Sequence, residues 1–232
     1  MADSLPDLQA IAARILPARP RVAFFDAVGT LFGIRGSVGE IYRDIAAEFG
    51  VTDPSAAADL NRAFGEAFRA APPAAFPDVA IAEIPTQERA WWRAVVAATF
   101  AGAHLQVTDF EAFFAVVFEH FATAAPWELY PDTIAALAQL QAAGTELGII
   151  SNFDSRLPRV LQALGIARYF QSVTVSTLTG AAKPAAQIFQ VALAKHATTP
   201  EAAWHIGDSR QEDWEGARAA GLQATWLVRP SL

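Results

Sequence analysis

The 232-residue sequence predicts an α/β fold: a parallel sheet flanked by helices, with a separate all-helical segment inserted after the first strand. Two observations carry this expectation. Short runs rich in β-branched and aromatic residues, without polar alternation, alternate with helical patterns through the second half of the chain, as buried strands of a parallel sheet do. The stretch from Ser37 to about Ala125, by contrast, shows helical periodicity and no strand pattern.

The elements follow in order. The stretch up to Pro20 reads as an amphipathic helix or loose arm; Asp3 and Asp7 stand where a signal peptide would be basic. The first strand is Val22–Phe25. In the insert, Ser37 with Glu40 and Thr108 with Glu111 have capping-box spacing. Phe110, Phe113, Phe114, Val117, Phe118 and Phe121 share one helical face, the pattern of a core stripe. Pro72, Pro73 and Pro77 mark a loop. Gly33 and Gly36 on one side and Ala125-Pro126 on the other mark the connections. Residues 1–36 and 126–232 are therefore expected to form one core, and 37–125 a helical unit of its own. Beyond it, Asp132 is placed to cap a helix over Thr133–Ala143. Strands over Leu147–Ile150, Val173–Val175, Trp204–Ile206 and Ala224–Leu227 then alternate with helices over Leu157–Leu164, Gln187–Lys195 and Gln211–Ala220. That is the signature of βαβ units.

Composition excludes several classes. With 53% hydrophobic and 18% charged residues, the chain is globular. A net charge of −7 without a basic stripe argues against nucleic-acid and membrane-surface partners. No run approaches the roughly 18 consecutive apolar residues of a membrane helix. Cysteine is absent, which removes disulfides, thiolate zinc sites and a cysteine nucleophile; a reducing cytoplasm is compatible and is the expected location. His104, His120, His196 and His205 lack metal-ligand spacing, and His205 reads as a core residue. The apolar stretch Trp91–Phe100 fits either insert core or an interface. Of 17 basic residues only Lys183 and Lys195 are lysines; Lys195 reads as surface charge at a helix end.

The chemistry-bearing residues cluster after strands, where ligands bind in open α/β sheets. Asp26 ends the first strand in FFDAVGTLF. Ser151 and Asn152 end the second in GIISNFDSR. Lys183 follows the third in TGAAKPAAQIF. Asp208 ends the fourth in HIGDSRQEDWEGA, with Asp213 five residues on. Three carboxylates at one sheet edge repel each other unless a hard cation such as Mg²⁺ joins them. A lysine beside them suits an anionic group, and a carboxylate can act as a nucleophile toward phosphorus. The set points to metal-assisted phosphoryl chemistry. Ser209 with Glu212 also forms a capping box, which assigns that hydroxyl to a helix start, and Ser151 has no histidine partner nearby in sequence.

The motifs DAVGT, SN, KP and GDSRQED, in this order, resemble those of the haloacid dehalogenase-like hydrolase superfamily. The resemblance runs from Val22 to Val228, and GSVGEIY, AWWRAVV and LYPD resemble the branch named for the rhythmically expressed gene of flies. It implies a Rossmann-like core with a subfamily I helical cap that closes over the site. It implies Asp26 as nucleophile and Mg²⁺ ligand, and the Val28 carbonyl as a further ligand. Thr30 would orient the loop, and Ser151 with Asn152 would hold the phosphoryl group. Lys183 would neutralise charge, and Asp208 with Asp213 would hold the metal. The partner would be a small phosphorylated molecule. One departure stands out: the family's phosphatases usually carry a second Asp where this chain has Val28. Valine transfers no proton, and general acid–base help is worth roughly 10²–10⁴-fold; Asp154 or a cap residue is conceivable in its place. Three readings stay open: a slow or leaving-group-selective Mg²⁺ phosphatase, a metal-free 2-haloacid dehalogenase, and a non-catalytic member that binds a phosphorylated ligand or a protein. The acidic pair Asp208 and Asp213 argues against the second.

Overall fold

A computed structural model describes residues 7–229. The first element among the described residues is α1 (Leu8–Ile15), whose first amides are capped by the Asp7 carboxylate at the Ala10 N–H. It buries Leu8, Ile11, Ala12 and Ile15, the one-sided spacing of an amphipathic helix. Residues 1–6, including Asp3, lie outside the described residues. The strands β1 (Val22–Phe25), β4 (Glu146–Ser151), β5 (Ser172–Val175), β6 (Ala203–Gly207) and β7 (Gln223–Trp226) form one sheet. Its order is β5-β4-β1-β6-β7 and every pairing is parallel.

Burial explains why these strands show no polar alternation. In β1, Ala23 and Phe25 join the core on one face of the sheet, while Val22 and Phe24 join the core on the other. Both faces are covered, so each position demands an apolar residue. Helices α6 (Thr133–Ala142) and α7 (Leu157–Ala163) contribute to the first core, and α9 (Ala186–Lys195) and α10 (Gly216–Ala219) to the second. A four-residue helix, α8 (Ser176–Thr179), follows β5.

The insert is all-helical, as expected: α2 (Val38–Ala46), α3 (Ala56–Ala70), α4 (Ile84–Gly102) and α5 (Phe110–His120). They share a core of their own that includes Tyr42, Leu60, Val96, Phe100, Phe113, Phe114 and Val117. Its ends are more ordered than loop connections. The segments around Gly33 and after Pro126 form two short antiparallel strands, β2 (Phe32–Ile34) and β3 (Trp127–Leu129). Phe32 faces Leu129, and Ile34 faces Trp127.

Two local expectations change. Asp132 stands at the start of α6 but makes no side-chain cap. It accepts two bonds from the Arg229 guanidinium, at 2.8 and 2.7 Å, and one from the Leu8 N–H. At α5 it is Asp109, not Thr108, that caps, because its carboxylate accepts from the Ala112 N–H. Lys195 is exposed at the helix end, as read, and its ammonium also donates to the Val173 carbonyl and the Thr174 hydroxyl, tying α9 to β5.

The insert is also fastened to the sheet by buried polar groups. Glu88 of α4 is buried, and its carboxylate accepts from the Ser155 N–H at 2.8 Å, the Ser155 hydroxyl at 2.5 Å and the Thr177 hydroxyl at 2.5 Å. Glu88→Ala leaves these enclosed donors without an acceptor. The expected cost is about 1–3 kcal/mol, read from urea unfolding, with faster amide exchange at the start of α4. Unchanged stability in that variant would show the contact to be idle.

Candidate active site

The carboxyl ends of β1, β4 and β6 open onto one cavity, which the insert covers. Asp26, Val28, Ser151, Asn152, Lys183, Asp208 and Asp213 all line it. The residues that the sequence reading expected at one sheet edge thus lie around a single cavity.

The centre of the floor is an ion triplet. The Lys183 ammonium, 3% exposed, lies 2.6 Å from Asp26 Oδ1 and 2.5 Å from Asp213 Oδ1. Its backbone is fixed as well. The Lys183 N–H donates to Asn152 Oδ1 at 2.7 Å, and the Asn152 amide donates back to the Lys183 carbonyl at 3.0 Å. Asn152 thus joins the loop after β4 to the loop before α9. Ser151 ends β4, buried beside it.

Asp213 sits in a π-helical turn, Arg210–Glu215, where a single regular helix was expected. Such turns often mark functional sites. The Ser209 hydroxyl accepts from the Glu212 N–H, so this serine is a cap, as its spacing implied. Asp213 accepts from every side. Oδ1 takes Lys183 and His205 Nε2, the latter at 2.8 Å, and Oδ2 takes the Ser209 N–H at 2.9 Å. A Cβ on Gly207 would fall 2.1 Å from the Asp213 carboxyl carbon, so only glycine lets that side chain fold over the strand end.

Asp208 is the exposed member. It accepts from the Thr30 hydroxyl at 3.1 Å. One oxygen each of Asp26, Asp208 and Asp213 fall within 4.8 Å of one another. Val28, two residues after Asp26, lines the cavity with an apolar side chain. Asp154 is no free acid: both its oxygens pair with Arg156, at 2.9 and 2.6 Å, and one also takes the Trp92 indole N–H.

The charges explain one another. Burial raises the Asp26 carboxyl above its ordinary range, and nearby Asp213 adds to this while Lys183 opposes it. Burial alone would depress the Lys183 ammonium, but Asp26 and Asp213 hold it above its ordinary value. Burial works against the Asp213 carboxylate, yet Lys183 and His205 keep it well below the usual carboxylate range. Among the described residues Asp208 has no cationic partner. Poor hydration in the floor, then repulsion from Asp26 and Asp213, push it up to about 7. The floor thus offers an oxygen-only set with one lysine already committed and one carboxylate uncompensated.

The model for the haloacid dehalogenase-like hydrolases matches residues 20–221. The chain belongs to this family. Among the relatives of this hydrolase, the human haloacid dehalogenase-like hydrolase domain-containing protein 3 is 33% identical over 212 residues, 90% of this chain and 82% of that protein. The rhythmically expressed gene 2 protein of Drosophila melanogaster is 31% identical over 92% of this chain and 85% of its own length. A phosphoserine phosphatase of Thermus thermophilus is 36% identical over 104 residues, 44% of this chain and 42% of that enzyme. Among solved structures, the L-2-haloacid dehalogenase of Xanthobacter autotrophicus superposes with a TM-score of 0.66 at 18% identity, over 91% of this chain and 79% of that one. The last likeness shows the fold.

Sequence reasoning missed three participants of this hydrolase's site. His205 was read as core; it is fully buried, yet its Nε2 donates to Asp213. Its position before the strand-end glycine was the available signal. Arg229, near the C-terminus, donates to the Thr30 carbonyl at 2.7 Å and so steadies the loop that holds Asp208. Glu212 lines the cavity too, and burial raises its carboxyl.

Gly29 gives the sharpest test of this geometry. Its φ is +87°, and an added Cβ would lie 2.3 Å from Asp208 Oδ2. Gly29→Ala should displace the Asp208 carboxylate and cost about 1–3 kcal/mol in strain. A crystal structure of the variant with unfolding curves checks both, and an unmoved Asp208 would contradict the reading.

Proposed function

We propose that this hydrolase is a Mg²⁺-dependent phosphatase that acts on a small phosphorylated substrate through an aspartyl-phosphate. The observation that carries the reading is the Lys183 clamp on Asp26 and Asp213, with the uncompensated Asp208 in the same floor. The phosphatase relative supports it.

The residues present fit the metal. Three carboxylates with an oxygen each inside 4.8 Å are the hard donors Mg²⁺ takes, joined in this reading by the Val28 carbonyl. Asp26 and Asp208 are the direct ligands. Asp213, whose oxygens already accept from Lys183, His205 and Ser209, supports the set from behind. When bound, Mg²⁺ would neutralise phosphoryl charge and hold it in line. Lys183 engages Asp26 through Oδ1, leaving Oδ2 to attack. The Asp26 Oδ–P bond forms, the P–O bond to the leaving group breaks, and its electron pair departs on that oxygen. Ser151, Asn152 and Lys183 hold the phosphoryl oxygens. Water then attacks phosphorus, the Asp26 Oδ–P bond breaks with its electron pair returning to the carboxylate, and the water's proton leaves on inorganic phosphate or to solvent. Residues 37–125 serve as a cap that excludes bulk water from this exchange.

With valine at position 28, nothing there protonates a departing alkoxide. Alkyl phosphomonoesters are therefore slow substrates, and acyl or aryl phosphates, whose leaving groups need less proton help, are better ones. A 2-haloacid dehalogenase would use the same Asp26 to form an ester. It needs no cation, so it leaves the Asp26–Asp208–Asp213 cluster without a purpose.

The deciding assay is phosphate release from acetyl phosphate and 4-nitrophenyl phosphate, with Mg²⁺ and with EDTA, alongside halide release from 2-chloropropionate. Turnover should need Mg²⁺ and vanish in Asp26→Asn. Silence on every phosphate would sink the reading, and metal-independent halide release would replace it with the dehalogenase. Lys183→Arg should lose activity while keeping the fold, because a guanidinium fork is too broad for the gap between two carboxylates; full activity in that variant would remove the clamp from the mechanism. Val28→Asp should raise the rate on alkyl phosphomonoesters by roughly 10²–10⁴-fold, measured as kcat.

A further inference from the structure

The cavity above the carboxylate floor is much larger than a phosphoryl group requires. It holds about 840 Å³, in the upper part of the range of roughly 300–1,000 Å³ for sites that enclose drug-sized ligands. A two- or three-carbon phosphate would leave most of it to water against apolar walls.

Those walls have a definite chemistry. The insert lines them with Tyr42, Phe64, Phe68, Trp91, Trp92 and Phe114. Phe68 stacks on Trp92 at 29° with ring centroids 6.0 Å apart, and Trp91 meets Trp92 edge-on at 4.8 Å. Flat, offset ring surfaces of this kind favour an aromatic guest. Their polar atoms are already engaged: the Trp91 N–H donates to the Pro72 carbonyl, the Trp92 N–H to Asp154, and the Arg156 guanidinium to Asp154 and the Phe118 carbonyl. Arg69 lines the cavity at its exposed rim.

Tyr42 is the exception. It is 2% exposed, and Phe64, Phe100 and Phe121 fix its ring at centroid distances of 5.9–6.2 Å. Among the described residues its hydroxyl has no hydrogen-bond partner, and burial raises its pKa. Tyr42 lines the cavity. A buried hydroxyl kept in an otherwise apolar wall is destabilising unless a ligand satisfies it.

Leaving-group chemistry points the same way. Val28 lines the cavity beside the nucleophile loop and has no proton to give, while Asp154 is held by Arg156 and Trp92. A departing oxygen that is a weak base asks least of what remains in the lining, the raised Glu212 carboxyl. A phenol, with pKa about 10 like tyrosine, meets this far better than an alkanol.

We propose that the substrate is an aryl phosphomonoester of one or two fused rings, with a hydrogen-bonding group remote from phosphorus that pairs with the Tyr42 hydroxyl. This rests on the phosphatase reading of the floor. The Asp26 Oδ–P bond forms as the P–O bond to the aryl group breaks. The electron pair leaves on the phenolate, which takes its proton from water.

Binding separates this inference from catalysis. Calorimetry on the whole protein with Mg²⁺ would compare methylphosphonate, 2-naphthylmethylphosphonate and 6-hydroxy-2-naphthylmethylphosphonate, none of which turns over. The naphthyl ligand should bind at least about 10-fold tighter than methylphosphonate, given its buried apolar area. The 6-hydroxy group should add affinity, and Tyr42→Phe, which keeps the ring, should abolish that increment. Equal affinity for methyl and naphthyl ligands would overturn the proposal, as would a hydroxyl increment that survives Tyr42→Phe. Acetyl phosphate turnover without an aryl preference would sink the aryl chamber alone. Aryl binding with no turnover of any phosphate would sustain the chamber and sink the phosphatase.

Discussion

One buried ammonium organises this molecule's chemistry. Lys183 stands between Asp26 at the end of β1 and Asp213 in the turn after β6. Removing it would leave two enclosed carboxylates facing each other, a far costlier state than any single lost hydrogen bond. Because the clamp is satisfied on all sides, the loops that carry it cannot drift independently. Asn152 reads the backbone of Lys183 on one side. His205 and the Ser209 N–H hold Asp213 on the other. The sheet supplies the platform, and this triplet converts three loop ends into a single rigid floor.

Around that floor, the polar interactions sort by distance from the chemistry. Thr30 orients Asp208 and is itself held by Arg229, whose guanidinium also closes on Asp132 at the start of α6. The Asp154–Arg156 pair lies between sheet and insert, with both partners under a tenth exposed. Arg156 also sits over the Phe118 ring at 3.8 Å and donates to the Phe118 carbonyl. With Glu88 bound to Ser155 and Thr177, the loop after β4 is the principal seam between the two parts. Ser151 and Asn152, which line the cavity, and Ser155 and Arg156, which hold the insert, therefore occupy one stretch of chain.

The sequence was informative where chemistry coincides with chain-local pattern. Asp26, Ser151, Lys183 and Asp208 each follow an apolar strand run, so their convergence at one sheet edge followed from the fold class. The core stripe through Phe113, Phe114 and Val117 was legible for the same reason: it repeats at helical spacing. Partnerships across long separations were not. Glu88 bonds residues 67 and 89 positions away, and no local spacing announces that a glutamate on an amphipathic helix faces inward. His205 looked like a packed residue because it is one; its second role depends on a π-helical turn that returns Asp213 to it. Asp132 carried a correct cap pattern but found a stronger partner in Arg229, a charge-assisted pair outcompeting a terminal amide.

The pairing of β2 with β3 has a wider meaning. Phe32 and Leu129 lie opposite each other on adjacent strands, so nearly a hundred residues leave the sheet and return to almost the same place, with about 5 Å between departing and arriving backbones. The sheet sees only a short stitched gap. A different helical unit spliced onto these two strands would meet the same covalent anchor points, and would have to replace the Glu88, Trp92 and Phe118 contacts that hold the loop after β4. The architecture thereby divides constraint unequally: the insert answers to two strand ends and a few buried contacts, while the sheet edge must keep one ammonium and its carboxylates in register.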